Sequence, residues 1–490
     1  MAEIIEKSVV DESTHTHGAA DPKAPLRSAS GGVAADTRGQ WGWALFEWAR
    51  NPYVLLITIY VFSPYFTSTV VGDPVRGQAI WGNINGIAGF VIACLGPVLG
   101  AIADTGGRRK PWIVFFIALM VPAMYALWWA MPGGGLSVLS IALLIVLIAV
   151  AFEFSAVFHN SMLPAVAPHE RIGFLSGLGL ALGNAGGLII LCFILWAFML
   201  PGNVDWGFVP AAPLFGIDAS AFENSRISGP LVAVWLLVFS LPLLLWTPDV
   251  QGARVPIGDA VARGISSVVG TVRRLRHYRN IAIYLVARMF YNDGKTAVLV
   301  FGGVYAAGVF GWGPLTLTIY GIVLSVFAVG GGFFGGWLDD RFGSKHAILV
   351  SIGGTSLGLI LAISMTPTEI FFFPYDAASA QPIWDLPFFA TLPELLYLIV
   401  VLIVAICITA AYANSRTMLA RIAPVTKMSE FFGIYALSGT ATAFLGPLLV
   451  GVATHFFQSQ RAGFASVLLL LGIGLVGMLF VREERAEAVD

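Results

Sequence analysis

A short, charged turn occurs twice in this sequence, and each copy interrupts a long apolar stretch. The first copy runs from Gly100 to Lys110 as GAIADTGGRRK, and the second runs from Gly336 to His346 as GWLDDRFGSKH. In both copies a Gly precedes an Asp by four residues, a second Gly follows three residues later, and cations close the run. Charges this concentrated cannot lie in hydrocarbon, so each turn is predicted at a membrane surface. Two matching copies indicate two homologous halves, as in many transporters.

Composition supports a membrane protein. Hydrophobic residues make up 57% of the chain and charged residues only 11%, whereas about a quarter of a soluble domain is charged. Three cysteines, Cys94, Cys192 and Cys407, fall in apolar segments without metal-ligand spacing, so we interpret them as packing residues. The first forty residues are polar and lack the apolar region of a signal peptide, which predicts a disordered cytoplasmic tail.

Twelve stretches are apolar enough to cross a membrane, which takes roughly 20 residues each. These predicted spans 1 to 12 begin near Trp41, Gln78, Pro111, Leu136, Phe174, Ser228, Ile281, Pro314, Lys345, Pro393, Phe431 and Ala462. The predicted fold is an all-α membrane protein of twelve transmembrane helices in two six-helix halves. The predicted divisions are an N-terminal tail (1–40), a first half (41–247), a cytoplasmic linker (248–280), a second half (281–482) and a C-terminal tail (483–490).

The distribution of cations predicts the orientation. Of the 27 Lys and Arg residues, 21 fall in tails and loops on one predicted face, three (Arg76, Arg226 and Arg461) on the other, and three within spans. Because positively charged loops stay in the cytoplasm, both termini are predicted to be cytoplasmic. We expect a bacterial inner membrane as the location.

Glycine is concentrated in spans 2, 5, 8 and 11. Small residues let helices approach closely in lipid, where no hydrophobic force drives them together. We therefore expect these four spans to form the interface between the halves, where a rocking motion needs a smooth contact. Ordinary static packing is the alternative interpretation.

Ionisable residues inside the spans are the candidates for a substrate or proton-coupling site, because they are expensive there. They are Glu47 and Arg50 in span 1, and Arg288, Asp293 and Lys295 with the polar Asn292 in span 7. Spans 1 and 7 are equivalent in the two halves, so both clusters are expected to face a shared cavity. Permanent ion pairs, Glu47 with Arg50 or Asp293 with Lys295, are the alternative. Either carboxylate could also carry a proton, and Asp293 is favoured because Gly294 follows it.

The turn residues are candidates for a gate that switches conformation. They are Gly100, Asp104, Gly107, Arg109, Gly336, Asp340, Arg341 and Gly343. Asp104 and Asp340 can face cations or helix N-termini and so clamp one conformation. The cations can instead do no more than fix topology.

The doubled turn resembles the loop signature of the major facilitator superfamily. Longer pieces resemble one branch, the autophagy-protein-22-like vacuolar effluxers and their bacterial relatives. These pieces are WALFEWA (43–49), SGLGLALG (176–183), FYNDG (290–294) and EFFGIYALSG (430–439). Glu47 stands where relatives usually have Asp, Arg50 where a small polar residue is common, and Thr105 replaces the usual cation. The resemblance implies solute transport, with amino-acid export as the expectation.

We therefore predict a secondary active transporter that moves a small polar solute by alternating access, coupled to protons. A facilitative uniporter on the same fold is the first alternative, and an integral-membrane enzyme is the second. The seven histidines are scattered, and no Gly-Lys-Ser/Thr phosphate loop is present, which argues against metal catalysis and ATP drive. We expect no enzyme activity, cofactor, metal or nucleic acid. The expected partners are the solute, protons and membrane lipids, and each chain is expected to act as a monomer.

Overall fold

The computed structural model describes residues 27–28, 32–105, 108–168, 172–249, 277–376, 382–424 and 441–484, with isolated positions between 259 and 273 and between 431 and 439. Most of the predicted N-terminal tail and linker, residues 485–490 of the C-terminal tail, and Gly107 lie outside the described residues.

The fold is almost entirely helical, as predicted. Its long helices are α1 (Thr37–Arg50), α2 (Pro74–Thr105), α3 (Lys110–Ala126), α4 (Val138–Val166), α5 (Ile172–Ile194), α6 (Ser228–Trp246), α7 (Arg279–Phe310), α8 (Pro314–Phe342), α9 (Ser344–Ile363), α10 (Leu392–Ile422), α11 (Leu445–Phe457) and α12 (Val467–Leu479). They follow the twelve predicted spans in order. Ten helical segments of the described residues are long and apolar enough to cross a membrane. The charged α7 and the short α11 are outside that set.

Short elements extend or connect these helices. The π-helical segments are Tyr53–Tyr60, Phe66–Val70 and Leu195–Met199, and the short helices are Phe62–Tyr65, Glu223–Arg226 and Gln460–Ala465. Single 3-10 turns cover Leu127–Trp129 and Leu214–Gly216. Two small antiparallel hairpins pair β1 (Ala130–Met131) with β2 (Gly134–Gly135) and β3 (Glu369–Ile370) with β4 (Phe373–Pro374).

The first span changes its helix type directly after its two charges. Regular α-helix ends at Arg50, and a π-helical turn begins at Tyr53 after Pro52. Proline has no N–H to donate and its ring crowds the preceding turn, so it disturbs a helix. Wide turns of this kind are frequent at functional sites. Glu47 and Arg50 therefore lie beside an irregular stretch of backbone within a membrane span.

The two halves, α1–α6 and α7–α12, meet most closely between α2 and α11. A Cβ atom built on Gly82 would lie 2.6 Å from the Cα atom of Gly451. Nearer the start of α2, Gln78 donates to the Thr454 hydroxyl at 2.8 Å and to the Gln460 carbonyl at 3.1 Å. Small side chains in α2 and α11 thus allow backbone contact across the halves, which confirms the expectation for spans 2 and 11.

The described part of this contact lies away from the charged turns. Gly82, Gly89 and Gly96 recur at a spacing of seven residues and so lie on one stripe of α2. A Cβ on Gly89 would lie 2.9 Å from Phe444, whereas one on Gly96 would have no atom of a described residue within 4 Å. We call the membrane surface that carries the turns at 100–110 and 336–346 the turn side, and the opposite surface the far side. Among the described residues, the halves touch at the far side, around Gly82 and Gly89.

Spans 5 and 8 also meet across the halves, since α8 contacts α5 and its Leu195–Met199 extension and a Cβ on Gly321 of α8 would lie 2.7 Å from the Tyr60 ring. Other glycines of these two spans lie elsewhere. Gly183 of α5 lies against Glu47 of α1, and Gly335 of α8 lies against Ala410 of α10, so each packs within its own half. These small residues admit neighbouring helices inside each bundle rather than between the bundles. The prediction of a glycine interface is therefore wrong for these positions in α5 and α8.

Candidate substrate and proton sites

The α1 cluster is centred on an ion pair. Arg50 Nε lies 2.9 Å from Oε2 of Glu47, one helical turn away, and both side chains are largely buried. The Arg50 guanidinium also lies over the ring of Phe152 in α4, 4.4 Å from its centroid, and donates to the Phe152 carbonyl at 3.3 Å. The pair anticipated as the structural alternative therefore forms, and it ties α1 to α4.

His159 of α4 completes this cluster. Its ring is fully buried, stacks on the Trp43 indole at 4.4 Å between centroids, and places Nδ1 3.4 Å from Oε1 of Glu47. Trp43 Nε1 donates to the His159 carbonyl at 3.0 Å, so the two residues are joined through both ring and backbone. On the other side of Glu47, a Cβ on Gly183 would come within 3.3 Å of it. Glu47 thus sits among three helices of the first half.

The α7 cluster contains two buried cations on one helix face. Arg288 and Lys295 are seven residues apart, which places them on one stripe about 10 Å apart along the axis. Arg288 donates to the Tyr435 carbonyl at 2.8 Å and to the Ser438 hydroxyl at 2.6 Å. Its guanidinium lies 3.4 Å from the centroid of the Tyr435 ring. Among the described residues, the hydrogen bonds of Arg288 therefore go to neutral groups.

Lys295 is completely buried. Its Nζ lies 3.6 Å from the centroid of the Tyr412 ring and 5.3 Å from that of Tyr291, and it has no hydrogen-bond partner in the described structure. Aromatic faces attract an ammonium but leave its N–H donors without acceptors. An unsatisfied buried cation is costly, so an acceptor from outside the protein would be bound favourably.

Asp293 lies on a different face of α7. Its side chain is 2% exposed, and Oδ2 has no hydrogen-bond partner in the part of the chain that the structure describes. Residues two apart on a helix do not face each other, which explains why Asp293 and Lys295 form no ion pair there. Asn292 between them is only half-buried. The second ion pair considered from the sequence does not form among the described residues, and Lys295 Nζ and Asp293 Oδ2 have no hydrogen-bond partner there.

The structure brings the candidates together as two separate groups. Glu47 and Arg50 meet directly, whereas Arg288, Asp293 and Lys295 share a helix without pairing. Among the described residues, no hydrogen bond or ion pair joins the α1 cluster to the α7 cluster. A shared cavity between them therefore stays a proposal.

At the turn side of the second half, a charge network surrounds the second turn. Arg421 of α10 lies 2.7 Å from Oδ2 of Asp339 and 2.8 Å from Oε1 of Glu483. The other Asp339 oxygen accepts from the Ser344 hydroxyl, and Glu483 accepts from the backbone N–H groups of Ser344 and Lys345 at 3.0 Å. A carboxylate at the first N–H groups of a helix is stabilised by them. The network joins the ends of α8, α10 and α12 to the start of α9.

The first half repeats part of this arrangement. Asp249, which follows α6, accepts from the backbone N–H groups of Arg109 and Lys110 at 2.9 and 3.3 Å. Lys110 Nζ donates to the Leu244 carbonyl at 2.8 Å, as Lys345 Nζ donates to the Leu479 carbonyl at 3.0 Å. In each half, an acidic residue after the last helix therefore caps the helix that follows the charged turn.

The predicted gate residues have unequal positions. Asp340 and Arg341 are exposed, and Asp340 makes no hydrogen bond or ion pair with any described residue. The neighbouring Asp339 takes the buried, paired place instead. Gly343 has a φ of 82°, a conformation that favours glycine, and a Cβ there would lie 2.8 Å from Glu483. Gly336 has no atom within 4 Å of a built Cβ.

In the first turn, Gly100 and Asp104 belong to α2, but the surroundings of their side chains lie outside the described structure, as does Gly107. Arg109 binds Asp249 through its backbone, and its Nε lies 3.4 Å from the Ser161 hydroxyl. The gate role of these residues stays a proposal.

The Glu483 contacts predict a pH dependence. Partial burial raises the pKa of its carboxyl, but the N–H groups of Lys345 and Ser344 and the Arg421 guanidinium outweigh burial and hold that pKa below the usual range. A depressed folded-state pKa gives stability above the unfolded pKa of about 4.3 and loses it as pH falls through the folded value. The difference in melting temperature between wild type and Glu483→Gln should therefore be constant from pH 6 to 8 and shrink below about pH 4. A difference that vanishes at pH 6 would contradict this.

Comparison with known proteins decides the family. The family described as vacuole effluxer Atg22 like matches residues 69–172 and 170–489. This chain belongs to that family. The MFS-type transporter YxiO of Bacillus subtilis is 26% identical over 457 residues, which cover 93% of this chain and 97% of YxiO. Autophagy-related protein 22 of Yarrowia lipolytica is 23% identical over 336 residues, 64% of this chain and 51% of that protein. The match thus spans about half of the fungal relative.

Solved structures show the same fold. A bacterial homologue of the human lysosomal transporter Spinster, in an inward-facing conformation, superposes with a TM-score of 0.63 at 15% identity, covering 92% of this chain and 98% of that chain. A D-xylose–proton symporter gives 0.59 at 13% identity, covering 91% and 95%. This Atg22-like chain is therefore a multi-pass membrane transporter of the major facilitator superfamily and not an enzyme.

Several residues of these sites were missed or left unplaced by the sequence reasoning. Asp249 and Glu483 each follow the last apolar span of a half, and that equivalence was a readable signal. The dipeptide Asn160-Ser161 of the first half recurs as Asn414-Ser415 in the second half. His159 directly precedes the first copy and Tyr412 lies two residues before the second, so this repeat was a signal for both residues. The sequence does not show that Arg421 pairs with Asp339 rather than with Asp340. Which of two adjacent acids faces α10 depends on how α8 is rotated about its axis.

Proposed function

We propose that this Atg22-like protein is a secondary active transporter that moves a small polar solute by alternating access and couples it to protons. The proposed solute carries an anionic group, and amino acids, exported from the cytoplasm, are the first class to test. The observation that supports this proposal most strongly is a pair of buried polar atoms on α7 without hydrogen-bond partners in the described structure, Nζ of Lys295 and Oδ2 of Asp293.

The chemistry of α7 supports a solute with both charge signs. A carboxylate of the solute would give Lys295 the acceptor that the tyrosine rings cannot supply. The solute's ammonium would give Asp293 a donor, while Arg288 stays engaged with Tyr435 and Ser438. A zwitterion compensates both buried charges at once, whereas a sugar compensates neither. Because Lys295 is fully buried, the solute reaches it only if Tyr412 and α10 move.

Alternating access is supported by the uneven contact between the halves. The far side is closed by backbone contact at Gly82 and Gly451, while no described residue lies within 4 Å of a Cβ on Gly96. In this scheme a central cavity opens to the turn side in one state. A rocking of the two halves closes the turn side and opens the same cavity to the far side. We further propose that the turn side is cytoplasmic, that the membrane is the bacterial inner membrane, and that one chain is the working unit, since it contains both halves.

The test is thermal stabilisation of the detergent-purified protein by amino acids, dipeptides, sugars and organic acids. A ligand at a hundred times its Kd stabilises the folded state by about 2.7 kcal/mol, so it shifts the melting temperature visibly. We expect an amino acid to stabilise wild type, and to lose most of that shift in Lys295→Gln and in Asp293→Asn.

The matched control is Arg76→Gln, which removes an exposed cation outside the two clusters. It should keep the full ligand shift. If a compound stabilises both α7 variants as well as wild type, the α7 charges are structural and the proposed site is wrong. If only neutral sugars stabilise the protein, the charged-solute class is wrong while the transporter family stands.

A further inference from the structure

The His159 ring is oriented by a hydrogen bond that fixes one of its protons. Nε2 lies 2.8 Å from the backbone carbonyl oxygen of Trp43. A carbonyl oxygen can only accept, so Nε2 must carry the proton of that bond. The stacked Trp43 ring and the return bond from the Trp43 indole hold the imidazole in this orientation. Both protonation states of His159 therefore keep Nε2–H, and they differ only at Nδ1.

The other ring nitrogen of His159, Nδ1, faces Glu47. This atom is buried, lies 3.4 Å from Oε1 of Glu47, and makes no well-formed hydrogen bond in the described structure. Without a proton, its lone pair would face a carboxylate oxygen in a dry environment, which is repulsive. One added proton converts the same contact into a charge-assisted hydrogen bond. The geometry thus has a place for a single proton between the two side chains.

We propose that Glu47 and His159 together bind the coupling proton, with the proton on Nδ1 of His159. The proposal rests on the proposed transport function and assigns its proton site to the first half, leaving Asp293 for the solute. In the binding step a proton from water forms the Nδ1–H bond, and the imidazole becomes an imidazolium. Release returns the same proton to water on the other side of the membrane.

The charged groups around the pair favour this assignment. Arg50 of α1 binds Oε2 of Glu47, so that oxygen is already satisfied and Oε1 is the one that faces His159. Glu153 of α4 lies within electrostatic reach of both Arg50 and Glu47 and adds a second acid to the same region. The contact from α5 is made by Gly179 and Gly183, which carry no ionisable group. The α1–α4–α5 cluster therefore holds two acids, one guanidinium and one titratable imidazole.

A proton at this position would couple to helix packing. When it is bound, Glu47 of α1 and His159 of α4 attract each other, and Arg50 adds its own contact to Phe152 of α4. When it leaves, the Nδ1 lone pair and Oε1 repel at short range, so this contact loosens while the Arg50 contacts persist. The contact between α1 and α4 would thus have a tight protonated state and a loose deprotonated state. A transporter that couples a proton to a conformational change requires such a pair of states.

Histidine NMR tests the proton directly and needs no solute. The full-length protein is labelled with ¹⁵N-histidine and purified in detergent, His159→Gln assigns the signal, and exposed His455→Gln is the matched control. At pH 7 we expect both ring nitrogens of His159 to be protonated in wild type, and only Nε2 in Glu47→Gln. A His159 that is singly protonated in wild type at pH 7, or doubly protonated in Glu47→Gln, would overturn the proposal.

A second measurement keeps the test informative if Glu47→Gln is unstable. Liposomes loaded with the pH dye pyranine and reconstituted with wild type should acidify or alkalise when an amino-acid mixture is added outside. His159→Gln should lose this proton flux at least tenfold but retain counterflow of the same radiolabelled mixture. Retained proton flux in His159→Gln would refute the proton site. Absence of any amino-acid flux in wild type would refute the solute class instead, and the NMR result would still decide the proton site.

Discussion

Replacing Asp339 with Asn is expected to lower the melting temperature of the detergent-purified protein by roughly 2 °C, since about 2 kcal/mol of interaction is lost. Asp339 is 7% exposed and binds both Arg421 and the Ser344 hydroxyl. Asn keeps the shape but removes the charge that Arg421 pairs with. Because Arg421 is itself partly exposed, water compensates some of the loss, and the effect stays below that of a fully buried pair.

The adjacent residue provides the control. Asp340→Asn makes the same chemical change one position along, at an exposed side chain without a described partner. It should change the melting temperature by no more than about 0.5 °C, because surface substitutions usually change the free energy of unfolding by about 0.5 kcal/mol or less. Equal losses in the two variants would mean that the network at Arg421 does not hold the second half together. A larger loss in Asp340→Asn would restore the gate residue predicted from the sequence.

The two variants also show where sequence reasoning succeeded. Charge and hydropathy alone predicted that the boundary between two spans falls within residues 336–346, because a run of charges has only one favourable place beside hydrocarbon. The boundary is there, at Gly343, but the segment is not a turn, since α8 continues to Phe342 and α9 begins at Ser344. Charge and hydropathy did not predict which of two adjacent Asp residues is buried. Side chains one residue apart point about 100° away from each other on a helix, so that choice depends on how α8 is rotated against α10. Rotation is set by packing and leaves no mark in composition.

The candidate site divides in the same way. Glu47 and Arg50 could be paired from their spacing, because residues three apart share a helix face. An ion pair of Lys295 with Asp293 was the alternative considered from the sequence, yet a spacing of two puts the two side chains on different helix faces. His159 lies 112 positions from Glu47 in the chain, and only the packing of α4 on α1 brings the two within 3.4 Å. Contacts within a helix were predictable, and contacts between helices were not.

Substituting Gly451 with Leu is expected to block the conformational cycle. A Cβ at this position already lies 3.0 Å from the Ala79 carbonyl oxygen and the Asn83 backbone nitrogen, so a larger side chain must push α2 away from α11. Overpacking of this kind costs about 1–3 kcal/mol when neighbours can shift. That cost falls on the state in which the far side is closed, so the protein should shift towards the opposite state, with the turn side closed.

Alkylation of a cysteine at Gly96 measures that shift without a solute. The three native cysteines are first replaced by Ala, since Cys94 and Cys192 are exposed. In this background Gly96→Cys should react rapidly, because no atom of a described residue lies within 4 Å of a Cβ there. Adding Gly451→Leu should slow the reaction about tenfold, which corresponds to a shift of about 1.4 kcal/mol between the two states. The matched variant Gly472→Leu, in open space on α12, should leave the rate unchanged. An unchanged rate in Gly451→Leu would mean that the α2–α11 contact does not open and close, and the rocking motion would then need a different hinge.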